Sequence, residues 1–376
     1  MIHPTTFGGL HNMVARLHEP LLAHGYNSAA AVPVESDTTV FDRFAQFGVP
    51  TESLQLSRVR RTMSPMRHAA FAKNFAAEVD RLCGVAREFG AAAVQSHGVV
   101  NRHGYAAARK LGIPHIIQLN SDFAPRLLRR ASARMLARAA EVMAEGDRVA
   151  RAFPLGDRPP ALFWPPVDTA GSAVSPAERS TLRRDLGLGD DDIVIGTIGN
   201  FSTQKGHDLL VTAAETVLAR RPGSAFVIVG QPVASNARWF AGAVRSRVES
   251  SPVLRHAVRI VTPSVPASAL LPAFDVYVVS SRGEGVATAT LEAMCSGLPV
   301  VAFDVGSLAE VVDDGRTGHL VAPLDTAGLA EQLIDLIDDA DQRARFGSAA
   351  RAKAPLFSVE ASALAHARAY DAAFDD

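Results

Sequence analysis

Two glutamates eight positions apart, Glu284 and Glu292, lie in the run Ser281-Arg282-Gly283-Glu284-Gly285-Val286-Ala287-Thr288-Ala289-Thr290-Leu291-Glu292. A carboxylate cannot bind phosphate, but it accepts hydrogen bonds from hydroxyl groups. Between the two lies a glycine-bearing turn that opens a helix. Unpaired backbone N–H groups converge at such a helix start with the positive end of the helix dipole, which makes an anion site suited to a diphosphate. Hydroxyl acceptors flanking a diphosphate site describe a nucleotide sugar, with a sugar at one end and a ribose at the other.

The elements around this segment are those that would hold it in place. Val276-Tyr277-Val278-Val279 reads as a buried parallel strand, and 288–296 as a helix closed by Gly297, Leu298 and Pro299, after which Val300-Val301-Ala302-Phe303 forms the next strand. Further strands are expected at 29–32, 92–95, 115–119, 193–198, 225–229, 259–262 and 319–321, with helices filling most of the gaps. The alternation predicts an α/β chain with parallel sheets. A length of 376 residues exceeds the roughly 250–300 at which one core stops growing, so two domains are expected. The proline-dense stretch 157–168 is the clearest interruption. It predicts an N-terminal domain over 1–165, joined by a C-terminal helix over 358–376, and a second domain over 166–357. No apolar run approaches the roughly 20 residues needed to span a bilayer, and no basic region precedes an apolar core near Met1, so the chain reads as cytoplasmic. Cys83 and Cys295 have no metal-ligand spacing, which argues against a disulfide or a zinc site. Asp190-Asp191-Asp192 precedes an apolar strand and reads as a solvated turn, leaving no metal and no cofactor expected.

The Glu, seven residues, Glu arrangement resembles that of the group-1 (family 4) retaining glycosyltransferases with the GT-B fold, and the resemblance covers most of the chain. It implies two Rossmann-like domains with parallel sheets facing across a cleft. It also implies that Glu284 contacts donor-sugar hydroxyls and that Glu292 holds the nucleotide ribose, with Gly285, Val286, Ala287 and Thr288 forming the donor turn. Many relatives have phenylalanine and glycine where this chain has Val286-Ala287. The run from Ile195 to Leu210 resembles the family's donor-phosphate loop, in which Lys205-Gly206 sets an ammonium where the departing diphosphate gathers charge. Asn200 stands where many members carry an arginine, so it offers a hydrogen bond without a charge. Gly8-Gly9 resembles the glycine loop that faces the diphosphate, since absent side chains let backbone amides approach a phosphate. His97 falls in a strand-end histidine-glycine element, and Asn120 stands where many relatives carry a histidine. Asparagine cannot act as a base, but a retaining front-face reaction needs none, because the leaving phosphate oxygen can take the acceptor's proton. His97 and Asn120 are the catalytic candidates there and Asp122 an acceptor-binding one, and for His97 and Asp122 a structural hydrogen-bonding role stands beside the functional one.

The formal net charge of −1 conceals an asymmetry. Residues 1–165 hold 20 Lys and Arg against 13 Asp and Glu, whereas the remainder holds 18 against 26. Much of the basic excess lies in Arg58, Arg60, Arg61 and Arg67, and in Arg126, Arg129, Arg130, Arg134 and Arg138 on an expected amphipathic helix. Solvated faces, an anionic acceptor bound through Arg58, Arg60 and Arg61, and loose docking to an anionic membrane surface are the competing readings. Few aromatic residues are present to stack bases, so nucleic acid is not expected as a partner. The expected function is transfer of a sugar from a nucleotide-sugar donor, UDP-linked before GDP-linked, to a hydroxyl acceptor that is a glycan, a lipid or a small natural product. The alternatives are a nucleotide-sugar epimerase on the same fold and an inactive nucleotide-sugar-binding protein.

Overall fold

A computed structural model of the chain describes residues 8–35, 38–57, 65–122, 125–170 and 174–375. The chain divides into two compact units, one formed by Met1–Pro166 with Val359–Asp376 and the other by Val167–Ser358. The strands of the first are β1 (Ala30–Pro33), β2 (Thr51–Leu54), β3 (Val94–His97), β4 (His115–Leu119), β5 (Glu141–Ala144) and β6 (Ala161–Leu162). Those of the second are β7 (Ile193–Ile198), β8 (Ser224–Val229), β9 (Val258–Val261), β10 (Val276–Val279), β11 (Val300–Phe303) and β12 (Gly318–Val321).

The second unit carries one parallel sheet in the order β12-β11-β10-β7-β8-β9. The chain lays down β7, β8 and β9 in one direction, then returns to the other side of β7 for β10 and builds outward again. β7 and β10 therefore flank the point where strand order reverses, and ligands of open α/β sheets bind outside the carboxyl ends of such a pair. Strands covered on both faces read as unbroken apolar runs, and all four residues of β10 are buried. Gly196 in β7 is required by this packing, since a β-carbon there would lie 2.1 Å from the Phe274 ring.

The first unit has two separate parallel sheets, β1-β2 and β3-β4-β5-β6. A cavity of about 470 Å3 lies between them, lined by residues of β1 and β3 together with Leu17, Leu21, Leu82 and Phe374. The closing helix Val359–Phe374 packs on the helix Gly9–Ala23 and on β5. Ala363 and Ala367 join Met13, Leu17, Ile116 and Met143 in one apolar cluster, and the Ser362 hydroxyl donates to the Trp164 carbonyl at 2.8 Å.

Three strands were not expected from the sequence pattern. β2 is a short edge strand with exposed Glu52 and Ser53, so no apolar alternation marks it. β5 begins with the charged Glu141, which is buried beside Arg158 at 3.7 Å. β6 is only two residues long. The amphipathic helix expected through Arg126–Arg138 is instead two short helices, Arg126–Ala131 and Ala133–Leu136. Ser132 divides them, its hydroxyl donating to the Arg129 carbonyl at 2.6 Å, the kind of local side-chain bond that competes with a continuing helix. Among the described residues no helix is long and apolar enough to cross a membrane.

Candidate active site

In the second unit, the loops leaving β7 and β10 are tied together strand to strand. After β7 the chain passes through Gly199-Asn200-Phe201-Ser202 into a single 3-10 turn, Thr203–Lys205. Gly206 then adopts φ +63°, and the helix His207–Arg220 begins. A β-carbon at Gly206 would lie 2.0 Å from the Ser280 carbonyl oxygen, so the close approach of the two loops demands glycine as much as the left-handed φ does. After β10, Ser280, Ser281 and Glu284 are all buried before the helix Thr288–Cys295 starts. No side chain caps that helix; Ala287 occupies the N-cap position, so the backbone amides of the first turn face no capping side chain.

The two loops meet in an ion pair. Lys205 Nζ donates to Glu284 Oε1 at 2.5 Å, and the Ser281 hydroxyl donates to the same oxygen at 2.8 Å. Side-chain exposure is 22% for Lys205 and 7% for Glu284, so the ammonium is the more accessible partner. Backbone and side-chain bonds brace the pair. The Arg282 amide donates to the Gln204 carbonyl at 2.7 Å, and Gln204 Nε2 donates to the Gly283 carbonyl at 2.9 Å. The Arg282 guanidinium grips both oxygens of Asp208 at 2.8 and 2.6 Å, the fork geometry that only arginine offers a carboxylate. Burial would raise the Asp208 carboxyl, but the Arg282 bonds outweigh it and hold the group below its usual range. Beneath the loops, the Tyr277 hydroxyl donates to the Ile198 carbonyl at 3.2 Å and receives the Ile198 amide at 3.3 Å, joining the ends of β10 and β7. Burial raises its pKa.

Asn200 lies in the β7 loop, with its carbonyl oxygen 3.3 Å from His207 Nε2. Burial takes the His207 pKa down to about 4, so this ring is neutral at physiological pH. Glu292 is half-buried on the helix Thr288–Cys295, and its carbonyl accepts the Ser296 amide at 3.0 Å. The loop after β11 closes on the glutamate turn. Ser307 donates its amide to the Gly285 carbonyl at 3.1 Å, and a β-carbon at Gly306 would lie 1.9 Å from the Glu284 carbonyl.

The candidates of the first unit are organised differently. His97, Asn120 and Glu145 end or directly follow the adjacent strands β3, β4 and β5. Burial drives the His97 pKa well below 6.5, with a side-chain hydrogen bond to Asn120 opposing it. Asn120 Nδ2 lies 3.5 Å from Glu145 Oε2. Asp122 is half-buried two residues beyond Asn120. Gly8 is the extended N-cap of the helix that Gly9 opens, and its carbonyl accepts the Asn12 amide at 3.1 Å. Arg58, Arg60 and Arg61 lie outside the described residues.

The structure thus brings together Lys205, Glu284 and the glycine turn, and separately His97 and Asn120. The bracing residues Gln204, Asp208, Ser281 and Arg282, the strut Tyr277 and the buried Glu145 escaped sequence reasoning. An arginine inside the glutamate turn and an aspartate three residues after Lys205 were the visible signals, since a charged pair flanking two motifs can tie them together.

Residues 192–339 match the family model described as Glycosyl transferases group 1. D-inositol 3-phosphate glycosyltransferase of Nocardia farcinica is 34% identical over 202 residues, 53% of this chain and 44% of that protein. Alpha-D-kanosaminyltransferase of Streptomyces kanamyceticus is 27% identical over 302 residues, covering 73% of this chain and 76% of its own. Among the first curated relatives, the chain spans about half the length of each. The crystal structure of Anabaena HepE in complex with UDP-glucose superposes with a TM-score of 0.81 at 21% identity, over 100% of this chain and 98% of that one. Residues 192–339 are accordingly similar to the group 1 glycosyl transferases, and the chain has the GT-B fold of two Rossmann-like units.

Proposed function

We propose that this protein is a retaining glycosyltransferase that moves a sugar from a nucleotide-sugar donor to a hydroxyl acceptor. The observation that carries the reading is the Lys205–Glu284 pair, held at the switch point between β7 and β10 beside an uncapped helix start. The ammonium of Lys205 stabilises charge on the departing diphosphate, aided by the amides before Thr288 and by Asn200. Glu284 is fixed by Lys205 and Ser281 through Oε1, which leaves its other oxygen to accept a donor-sugar hydroxyl. Glu292 accepts from the ribose.

The leaving phosphate oxygen takes the acceptor proton as the new bond forms on the same face, so no carboxylate or imidazole base is needed. His97, neutral by burial, and Asn120 shape the polar end of the first unit without moving a proton. UDP is favoured as the nucleotide, because the similar HepE is solved with UDP-glucose, and GDP is next. The module 166–357 binds the donor and 1–165 the acceptor, which is a glycan, a lipid or a small natural product. The setting is cytoplasmic and the reaction requires no metal.

The test is nucleotide release from a panel of UDP- and GDP-sugars, with and without cell extract as acceptor source, followed by mass analysis of new glycosides. Acceptor-dependent release with the anomeric configuration kept supports the reading. Conversion of donor to an epimer without nucleotide release assigns an epimerase instead. Tight nucleotide binding with neither outcome assigns a binding protein.

A further inference from the structure

The first unit carries a strongly one-sided surface that the proposed transfer reaction does not use. Between 98 and 140 the sequence holds eight Arg and Lys residues and a single acidic one, Asp122. The helix Arg126–Ala131 within this stretch buries none of its residues. Leu127 is 80% exposed, more than any other large apolar side chain among the described residues. Arg126 and Arg130 are exposed on the same helix, and Arg134 and Arg138 are exposed on the short helix Ala133–Leu136 and just after it. The exposed Arg109 adds to them from the helix Arg102–Leu111: its guanidinium lies 5.8 Å from the Tyr105 ring, and Arg109 and Arg138 together bring the Tyr105 hydroxyl below its usual pKa despite burial.

From this surface we infer a docking site for an anionic lipid bilayer, with the arginines on the headgroups and Leu127 inserted among the acyl chains. Charge complementarity supplies the attraction, since several basic side chains at a negatively charged surface act together. The leucine separates a bilayer from a soluble polyanion. A glycan or polyphosphate would engage the guanidinium groups and leave Leu127 in water, whereas a bilayer offers an apolar phase just below its charged layer. The neighbouring Leu128 packs against the unit's apolar core and seats the helix, while Leu127 is left in solvent. The site is short and not a membrane span, so the binding is peripheral and reversible.

The experiment is co-sedimentation of the full chain with phosphatidylcholine vesicles and with vesicles containing 30% phosphatidylglycerol (roughly the anionic fraction that generates a negative surface potential). Binding is expected only to the anionic vesicles and is lost in about 0.5 M salt, where charges are screened within a few ångströms. Leu127→Glu is expected to weaken that binding about tenfold, the loss of a partly inserted leucine, while leaving the thermal midpoint unchanged. Arg130→Glu with Arg134→Glu is expected to abolish it. Equal binding to both vesicle types would overturn the proposal. So would full retention of binding by Leu127→Glu together with complete competition by heparin, which would assign the surface to a soluble anion. Vesicle binding is read without any sugar donor, so its failure is independent of the transfer reaction.

Discussion

The two units solve the same architectural problem with different degrees of closure. In the second, one six-stranded sheet places two loops at a strand-order reversal, and at least seven hydrogen bonds and ion pairs join those loops directly. In the first, two sheets stand apart around a cavity, and the polar residues at the strand ends bond mainly among themselves. A site that must stabilise a developing charge needs donors fixed before the reaction, because donors that reorganise during it return the stabilisation as reorganisation energy. The second unit has that preorganisation. The comparison predicts where chemistry and where mere packing will be sensitive to mutation.

The largest effect should come from the contact that lets the two loops meet. Gly206→Ala forces a β-carbon against the Ser280 carbonyl at a left-handed φ, and together these should cost about 4 kcal/mol, read from the urea midpoint of the second unit. The same substitution at Gly223, where a β-carbon meets nothing within 4 Å, should be close to neutral and serves as the control.

Acid should act more strongly on the first unit, where burial also holds the His97 and His115 rings below their usual range, than on the second. His207 in the second unit and His366 in the first both have folded-state values near 4, driven down by burial from 6.5. As pH falls below 6.5 the unfolded chain takes up these protons and the folded chain does not. Each ring therefore removes up to about 3 kcal/mol of stability progressively between pH 6.5 and 4, and removes none above that window. Stability measured by denaturant at pH 7.5 and 4.5 checks this: replacing His207 by a well-packed neutral residue should flatten the profile of the second unit, whereas replacing His366 should flatten that of the first only in part, because His97 and His115 still titrate there.

Smaller, and specific to function, is the expected consequence of Lys205→Ala. Turnover should fall about 100-fold, or about 2.7 kcal/mol, with less than a few-fold change in donor affinity. A single-turnover assay with unchanged rate would remove the leaving-group role. The smallest effect belongs to the first unit. Asn120→Ala should reduce turnover less than about fivefold and stability by about 1 kcal/mol, since its side-chain nitrogen makes a long bond, to Glu145 at 3.5 Å. A 100-fold loss would make Asn120 part of the chemistry and erase the contrast between the units.

Legibility followed the same division. β7, β10 and β11 were readable to the residue, because strands buried on both faces must be continuous apolar runs. The helix start after Ala287 and its end at Gly297 were readable from the turn residues. β2, β5 and β6 were hidden because an edge strand, a strand opened by a buried charge and a two-residue strand carry no periodic pattern. The break at Ser132 was hidden as well, since apolar spacing continues through it while the hydroxyl ends the first helix by a local bond.

The sequence by itself determined the α/β class, the strand, turn and helix around each motif, and which side chains could meet a phosphate or a hydroxyl. Those properties are local: they depend on residue type, spacing and the backbone preferences of glycine and proline. Only the tertiary structure decided that Lys205 and Glu284, separated by 79 positions, form one ion pair, and that Arg282 and Asp208 brace it. It also decided that Leu127 faces water, on the first of two short helices where one was expected. Strand order and helix seating are set by the packing of the whole sheet, which no window of neighbouring residues contains.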